Sequence, residues 1–193
     1  MTELETYIHS YFGIPNTQLA ELADLFKESQ LKKGEYFTQI DNQCQQLSFI
    51  RSGHLRVFAY TDGKDITQWI SSQGEFITDL ASMVFKTPSR WNIQALTDCE
   101  LYSISKEKYD QIGKLIPQWD QLEKLFLAKC FLTLEDRVYS FLSMTAEQRY
   151  LHLFETKRDL FNETPLHYLA SMLGMTPETL SRIRKAQSLE KKS

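Results

Sequence analysis

The stretch from Thr164 to Lys185, T-P-L-H-Y-L-A-S-M-L-G-M-T-P-E-T-L-S-R-I-R-K, constrains the fold most, because it spells two short helices around one glycine. Thr164 can cap a helix whose first residue is Pro165, a place where proline's missing N–H costs nothing. Leu166, Leu169, Ala170 and Leu173 then share a face at i, i+3, i+4 and i+7. Gly174 supplies a tight turn, Met175 fills the core, and Thr176-Pro177 repeats the cap-then-proline start. This predicts a helix-turn-helix. In its second helix Leu180 and Ile183 point inward, while Glu178, Ser181, Arg182 and Lys185 share the outer face. Glu178 and Arg182 stand one turn apart at the end that enters a major groove. Glutamate accepts from cytosine N4, and arginine donates bidentately to guanine. Thr176 and Thr179, with Ser181 and Lys185 beside them, suit phosphates or flanking contacts. The bland alternative is a surface Glu–Arg pair on an ordinary helical hairpin.

Charge distribution favours the first reading. Residues 165–193 carry five Lys/Arg (Arg182, Arg184, Lys185, Lys191, Lys192) against Glu178 and Glu190, a balance of +3. That leaves −6 for the rest of a chain whose total is −3. A basic end on an acidic body fits a terminal nucleic-acid reader. Cys44, Cys99 and Cys130 are scattered, so neither a zinc site nor a disulfide framework is expected. The start, with Glu3 and Glu5 and no continuous apolar core, does not read as a signal peptide, and no run approaches a membrane span. The expectation is a cytoplasmic protein with no membrane partner.

Upstream the texture changes twice. Residues 1 to about 30 read as short helices, with Leu19, Leu22, Ala23 and Phe26 at helical spacing after a turn at Gly13–Asn16. From Leu31 to Ser105, short β-rich runs are punctuated by Gly34, Gly53, Gly63 and Gly74, which predicts an all-β barrel, sandwich or roll. Leu47–Arg51, Leu55–Tyr60 and Asp65–Ile70 are strands. Asp62-Gly63 between two of them is a hairpin signal, since glycine tolerates positive φ. Ile93, Ala95 and Leu101–Ile104 supply the closing strands. From Lys106 onward everything reads as helix. One stripe runs through Leu115, Trp119, Leu122, Phe126, Cys130, Leu134, Val138 and Phe141, and a second set (Leu125, Leu127, Phe131, Leu132) lies beside it. A helix apolar on more than one face must bury more than one, and a second copy of the chain is the natural occupant of the other face.

β-roll, long helix, then helix-turn-helix resembles the cAMP receptor protein/fumarate-nitrate regulator (Crp/Fnr) family over nearly the whole chain. Lys33-Gly34-Glu35 with Phe49–Val57 looks like the roll's opening strands. Gly74-Glu75-Phe76-Ile77-Thr78-Asp79-Leu80 followed by Ser89-Arg90 sits where that family has its phosphate-binding cassette. Glu178-Thr179-Leu180-Ser181-Arg182 matches the E-T-x-x-R of its recognition helix. The resemblance implies an α+β fold in three parts: a jelly-roll-type, cyclic-nucleotide-binding-like sensor over residues 1–116, a dimerisation helix over 117–145, and a helix-turn-helix domain over 146–193. It implies a homodimeric transcription regulator in which Glu178 and Arg182 read bases and Thr176 and Thr179 hold phosphate. Double-stranded DNA, a second copy and RNA polymerase are the partners it implies. A rival reading keeps the dimer but has the helix-turn-helix bind a protein.

Three departures qualify the likeness. Pro177 stands where relatives often place an arginine before the glutamate, so the preferred site should differ. Gln148–Phe161 reads as helix where some relatives have wing strands, so the wing should be reduced or absent. In the cassette the expected Gly-Glu reads Thr78-Asp79 and the expected Arg-Ser reads Ser89-Arg90 in reverse. A one-residue shift turns a side chain to the opposite face of a strand. These departures argue against cAMP and leave the small-molecule effector unassigned, with no cofactor named. Four cysteines for an iron–sulfur cluster are lacking, and haem ligation by His9 or His54 is weakly suggested. With no G-x-S-x-G, P-loop, G-x-G-x-x-G or clustered histidines, no catalytic residue, metal site or enzyme activity is expected.

Overall fold

A computed structural model describes residues 1–190, with side chains as far as Gln187; Lys191 and Lys192 of the basic tail lie outside the described residues. Two short helices open the chain, α1 (Glu3–Phe12) and α2 (Asn16–Ala23). Thr2 and Glu5 form a reciprocal capping box that starts α1, which buries Leu4, Ile8 and Phe12. Phe26, expected to continue the second helix, sits beyond its end and packs on the core.

The sensor region consists of β1 (Lys27–Leu31), β2 (Tyr36–Thr38), β3 (Gln46–Ser52), β4 (Leu55–Thr61), β5 (Lys64–Ser71), β6 (Phe76–Ile77), the short helix α3 (Leu80–Phe85), β7 (Asn92–Ala95) and β8 (Cys99–Ser105). They form two four-stranded antiparallel sheets in the orders β1-β8-β3-β6 and β2-β7-β4-β5. The apolar side chains between them, among them Leu47, Phe49, Leu55 and Ile93, make the first core. β1 begins four residues before the expected Leu31. Its sequence, KESQL, lies on a sheet edge with little burial, so it carries no apolar alternation to read. Asp62 and Gly63 have φ of 50° and 72° and join β4 to β5 with Thr61 opposite Lys64, a two-residue hairpin as expected.

The rest is helical: α4 (Lys106–Tyr109), α5 (Ile112–Leu115), α6 (Trp119–Ser143), α7 (Ala146–Thr156), α8 (Leu160–Glu163), α9 (Leu166–Met172) and α10 (Pro177–Glu190). The stripe read through Leu115 is broken by the turn at Ile116–Gln118, which places Leu115 on α5. Trp119 and Phe126 bury the first half of α6 against the roll and α1, with the Phe12 ring 5.0 Å from Trp119 and 4.5 Å from Phe126. No β-strand follows Ser105 among the described residues, so the place of a wing is taken by α7 and α8.

A second core joins the C-terminal helices to the outside of the roll. Leu160, Phe161, Leu169, Leu173, Leu180 and Ile183 pack there with Ile70 and Leu96 of the roll. This explains why β4 is buried on both faces. Leu55 and Val57 face the first core, whereas Arg56 and Phe58, each 1% exposed, face α9.

Candidate functional site: a recognition helix and the cavity behind it

The two helices of the turn meet at Gly174, whose φ of 65° is left-handed. A Cβ on Gly174 would stand 2.5 Å from Cε1 of Phe141 on α6, so the turn, the long helix and the glycine are matched. Thr176 caps α10 through its hydroxyl, which accepts from the Thr179 N–H at 3.2 Å. The first expected cap is absent. Pro165 takes an extended ψ of 135°, α9 begins one residue later at Leu166, and the buried Thr164 hydroxyl has no hydrogen-bond partner. The outer face of α10 is placed as read, with Glu178, Ser181, Arg182 and Lys185 exposed and Leu180 and Ile183 buried. The Glu178 carboxyl is held below its usual range by its own backbone N–H and by the Thr176 hydroxyl. A carboxylate at a helix N-terminus is in the favourable field of the helix dipole.

A cavity of ≈350 Å³ lies between the roll and α6. Glu75, Phe76, Ile77, Thr78, Asp79 and Leu80 of the cassette line it; Gly74, Ser89 and Arg90 do not. The cassette's polar groups are engaged in holding the backbone. Asp79, 5% exposed, caps α3 by accepting from the Ser82 N–H at 3.0 Å, and it accepts from the Ser89 hydroxyl at 2.7 Å and the Arg90 N–H at 3.2 Å. The Arg90 side chain is exposed. Thr78 donates to the Gln46 carbonyl at 2.8 Å. Glu75 pairs with Lys157, beyond the end of α7, at 2.6 Å.

Sequence reasoning missed the cavity's opposite wall, Trp69, Trp91 and Arg137. The guanidinium of Arg137 lies 5.4 Å from the Trp69 ring and donates to the Met172 carbonyl of α9 at 2.8 Å. Burial pulls its pKa down to about 10, so it remains cationic at neutral pH. Cys130, also on this wall, is pushed up to about 11 by burial and is a thiol rather than a thiolate there.

A network of polar contacts ties this region to the helix-turn-helix. Arg56 donates to Thr67 at 2.8 Å, forks onto Asp65, and lies 4.2 Å from the Phe58 ring and 3.7 Å from the Tyr168 ring of α9. Ser171 of α9 accepts from the Thr67 N–H at 2.9 Å. His54 Nε2 stands 3.0 Å from Glu163 and Nδ1 3.2 Å from the Ser72 hydroxyl, while His9 Nδ1 meets the Ile14 carbonyl at 2.8 Å. His54 is thus buried with both ring nitrogens near partners, whereas His9 is exposed and engaged through Nδ1 alone. Among the described residues, no cluster of three or more His, Cys, Asp or Glu side chains is arranged to hold a metal, and no helix is long and apolar enough to cross a membrane.

Fold and site together define a two-part chain, a β-roll with a ligand-sized cavity joined by a long helix to a helix-turn-helix. Residues 28–114 match the cyclic nucleotide-binding domain family. Solved structures match nearly the whole chain. The catabolite activator protein of Thermus thermophilus is 21% identical, with 95% of this chain and 87% of that one covered at a TM-score of 0.58. FixK2 of Bradyrhizobium japonicum is 18% identical, with 86% and 85% covered at 0.73. The c-di-GMP-responsive global regulator CLP of Xanthomonas campestris is 17% identical, with 91% and 93% covered at 0.64. No curated protein matches the chain in sequence. Residues 28–114 thus resemble a cyclic nucleotide-binding domain, and the chain as a whole shares the fold of these solved structures.

Proposed function

We propose that the chain is a homodimeric, sequence-specific DNA-binding transcription regulator that reads an inverted repeat through α10 and receives a small-molecule signal in the cavity behind it. The carrying observation is the division of α10, which presents Glu178, Ser181, Arg182 and Lys185 outward from a capped start while Leu180 and Ile183 anchor it. Glu178 and Arg182 take base edges, and Thr176, Thr179, Ser181 and Lys185 take phosphates or flanking positions. Selection from a random duplex pool should enrich an inverted repeat with half-sites about one helical turn, roughly 34 Å, apart. Arg182→Ala should cost about 1–3 kcal/mol on the selected site and relax preference at one base pair. Equal weakening on every duplex would instead assign Arg182 to phosphate. A pool that enriches nothing, with or without cell metabolites, would overturn the reading.

Dimerisation rests on a second pattern. Leu127, Phe131, Leu134, Val138 and Phe141 alternate at spacings of four and three along α6, and all five are exposed, Phe131 by 66% and Val138 by 58%. That is the seam of a two-stranded coiled coil. Phe131→Glu and Val138→Glu should each forfeit about 1.5–3 kcal/mol of apolar burial per protomer. The double variant should sediment as a monomer, and its affinity for the full inverted repeat should fall far more than for a half-site. A dimer that survives both changes would place the interface elsewhere.

A further inference from the structure

We propose that the cavity takes an organic monoanion with a flat apolar body, its charge received by Arg137 of the long helix rather than by the cassette. The proposal rests on reading this cavity as the effector site and names the class of ligand that fits it.

The cassette has little left to offer an anion. The Asp79 carboxylate is buried and fully engaged with Ser82, Ser89 and the Arg90 backbone. Arg90 itself lies outside the lining. No cation of the cassette lines the cavity to neutralise a phosphate, and both oxygens of the Asp79 carboxylate already accept hydrogen bonds. Arg137 is the opposite case. It lines the cavity from α6; its guanidinium makes one hydrogen bond, to the Met172 carbonyl, lies near the Trp69 and Phe141 rings at 5.4 and 5.1 Å, and has no carboxylate within 4.0 Å among the described residues. The nearby cation, Lys157, is matched by Glu75. A half-buried guanidinium with unused donors favours a charge-assisted partner. Arg137 thus calls for one anionic group on the ligand, set apart from the Asp79 carboxylate on the cassette side.

The walls set its body. Trp69 and Trp91 stand with Tyr11 and Phe76 around the space, so a planar apolar group meets aromatic rings, with Gln68, Ser71 and Thr133 left to accept or donate at its edge. Arg137 also links occupancy to output. The guanidinium that would meet the anion holds the last turn of α9, so drawing it into the cavity loosens a contact with the helix-turn-helix.

The indole N–H signals of the full-length protein give the test, with Trp69 and Trp91 reporting the cavity and the core residue Trp119 serving as internal control. The probes are 2-naphthoate, its neutral counterpart 2-naphthalenemethanol, and cAMP. The expected result is that 2-naphthoate shifts the Trp69 and Trp91 signals at concentrations at least tenfold below the alcohol, while Trp119 stays in place. Arg137→Gln should erase the preference, Arg137→Lys should keep part of it, and Arg90→Gln should leave it intact. Retained dispersion of the three signals checks that each variant is folded. Equal binding of acid and alcohol would keep the cavity as a ligand site but overturn the anion assignment. Loss of the preference in Arg90→Gln, or binding of cAMP in its place, would return the charge to the cassette. If no probe moves Trp69 or Trp91, the ligand class and the effector reading fall together.

Discussion

Asp65→Ala should destabilise the protein towards the lower end of the about 3–5 kcal/mol lost when one partner of a buried ion pair is removed, because Arg56 is buried while Asp65 itself is 35% exposed. Arg56 is 1% exposed and cannot follow the lost carboxylate to water without lifting α9 from the roll. After the substitution its guanidinium would keep the neutral Thr67 hydroxyl and the faces of Phe58 and Tyr168. Those contacts replace a fork of two charge-assisted bonds with weaker ones. For a chain of this size the melting temperature should fall by an amount towards the lower end of roughly 6–20 °C. Removing both charges is a different experiment, because Arg56→Met with Asp65→Ala leaves no buried ion and should recover most of the loss. If Asp65→Ala instead melts within a few degrees of the parent, the guanidinium is hydrated in solution and the helix-turn-helix does not rest on β4.

The same contact bears on regulation. Arg56, Ser171, the His54–Glu163 pair and the Glu75–Lys157 pair all cross from the roll to the C-terminal helices. The partly exposed members of this polar set are exchanged for water at modest cost, unlike the apolar contacts of Ile70 and Leu96 with the second core. Arg56 is the exception, a buried charge that makes the docked arrangement costly to leave. On the proposed function, a ligand in the cavity would act on α9 against that resistance.

Features whose causes are local were legible in the sequence. Asp62-Gly63 reads as a hairpin because two neighbouring residues must accept positive φ. The facing of Leu180 and Ile183 against Glu178 and Arg182 follows from the period of one helix. The missing wing was visible in the helical spacing of residues 148–161. What could not be read depends on partners distant in sequence. Arg56 alternates with Leu55 and Val57 and so looks like a solvent residue of a half-buried strand. Phe58, the next residue on its face, was the available hint that something covers that side. Arg137 follows Glu135 and Asp136 on a long helix, where a run of charges normally marks the wet face. Its role emerges when Met172, thirty-five positions on, supplies the acceptor. Glu75 lines the cavity, and its pairing with Lys157, eighty-two positions on, could not be read from the sequence. The cap misread at Thr164 has a simpler cause, since a proline just inside a helix and one just before it give the same two letters.

Gly174→Val should cost about 2–5 kcal/mol, concentrated in the C-terminal half. Two terms contribute. A left-handed φ in a residue with a side chain costs roughly 1–2 kcal/mol, and a β-branched residue suffers most there. A new side chain directed at Phe141 adds an overpacking term of about 1–3 kcal/mol. Gly174→Ala separates them when combined with Phe141→Ala. If the clash dominates, the double variant should be more stable than the two single losses predict; if the backbone dominates, the losses should add. Hydrogen exchange locates the damage, with faster exchange expected in α9 and α10 and unchanged protection in β3 and β8. DNA binding should weaken in step, since Gly174 fixes the angle at which α10 leaves α9. Phe141 belongs both to the exposed seam of α6 and to the contact under this turn. In the proposed dimer the spacing of the two recognition helices would therefore be set where Gly174 meets Phe141, and a variant that melts and binds like the parent would show that it is set elsewhere.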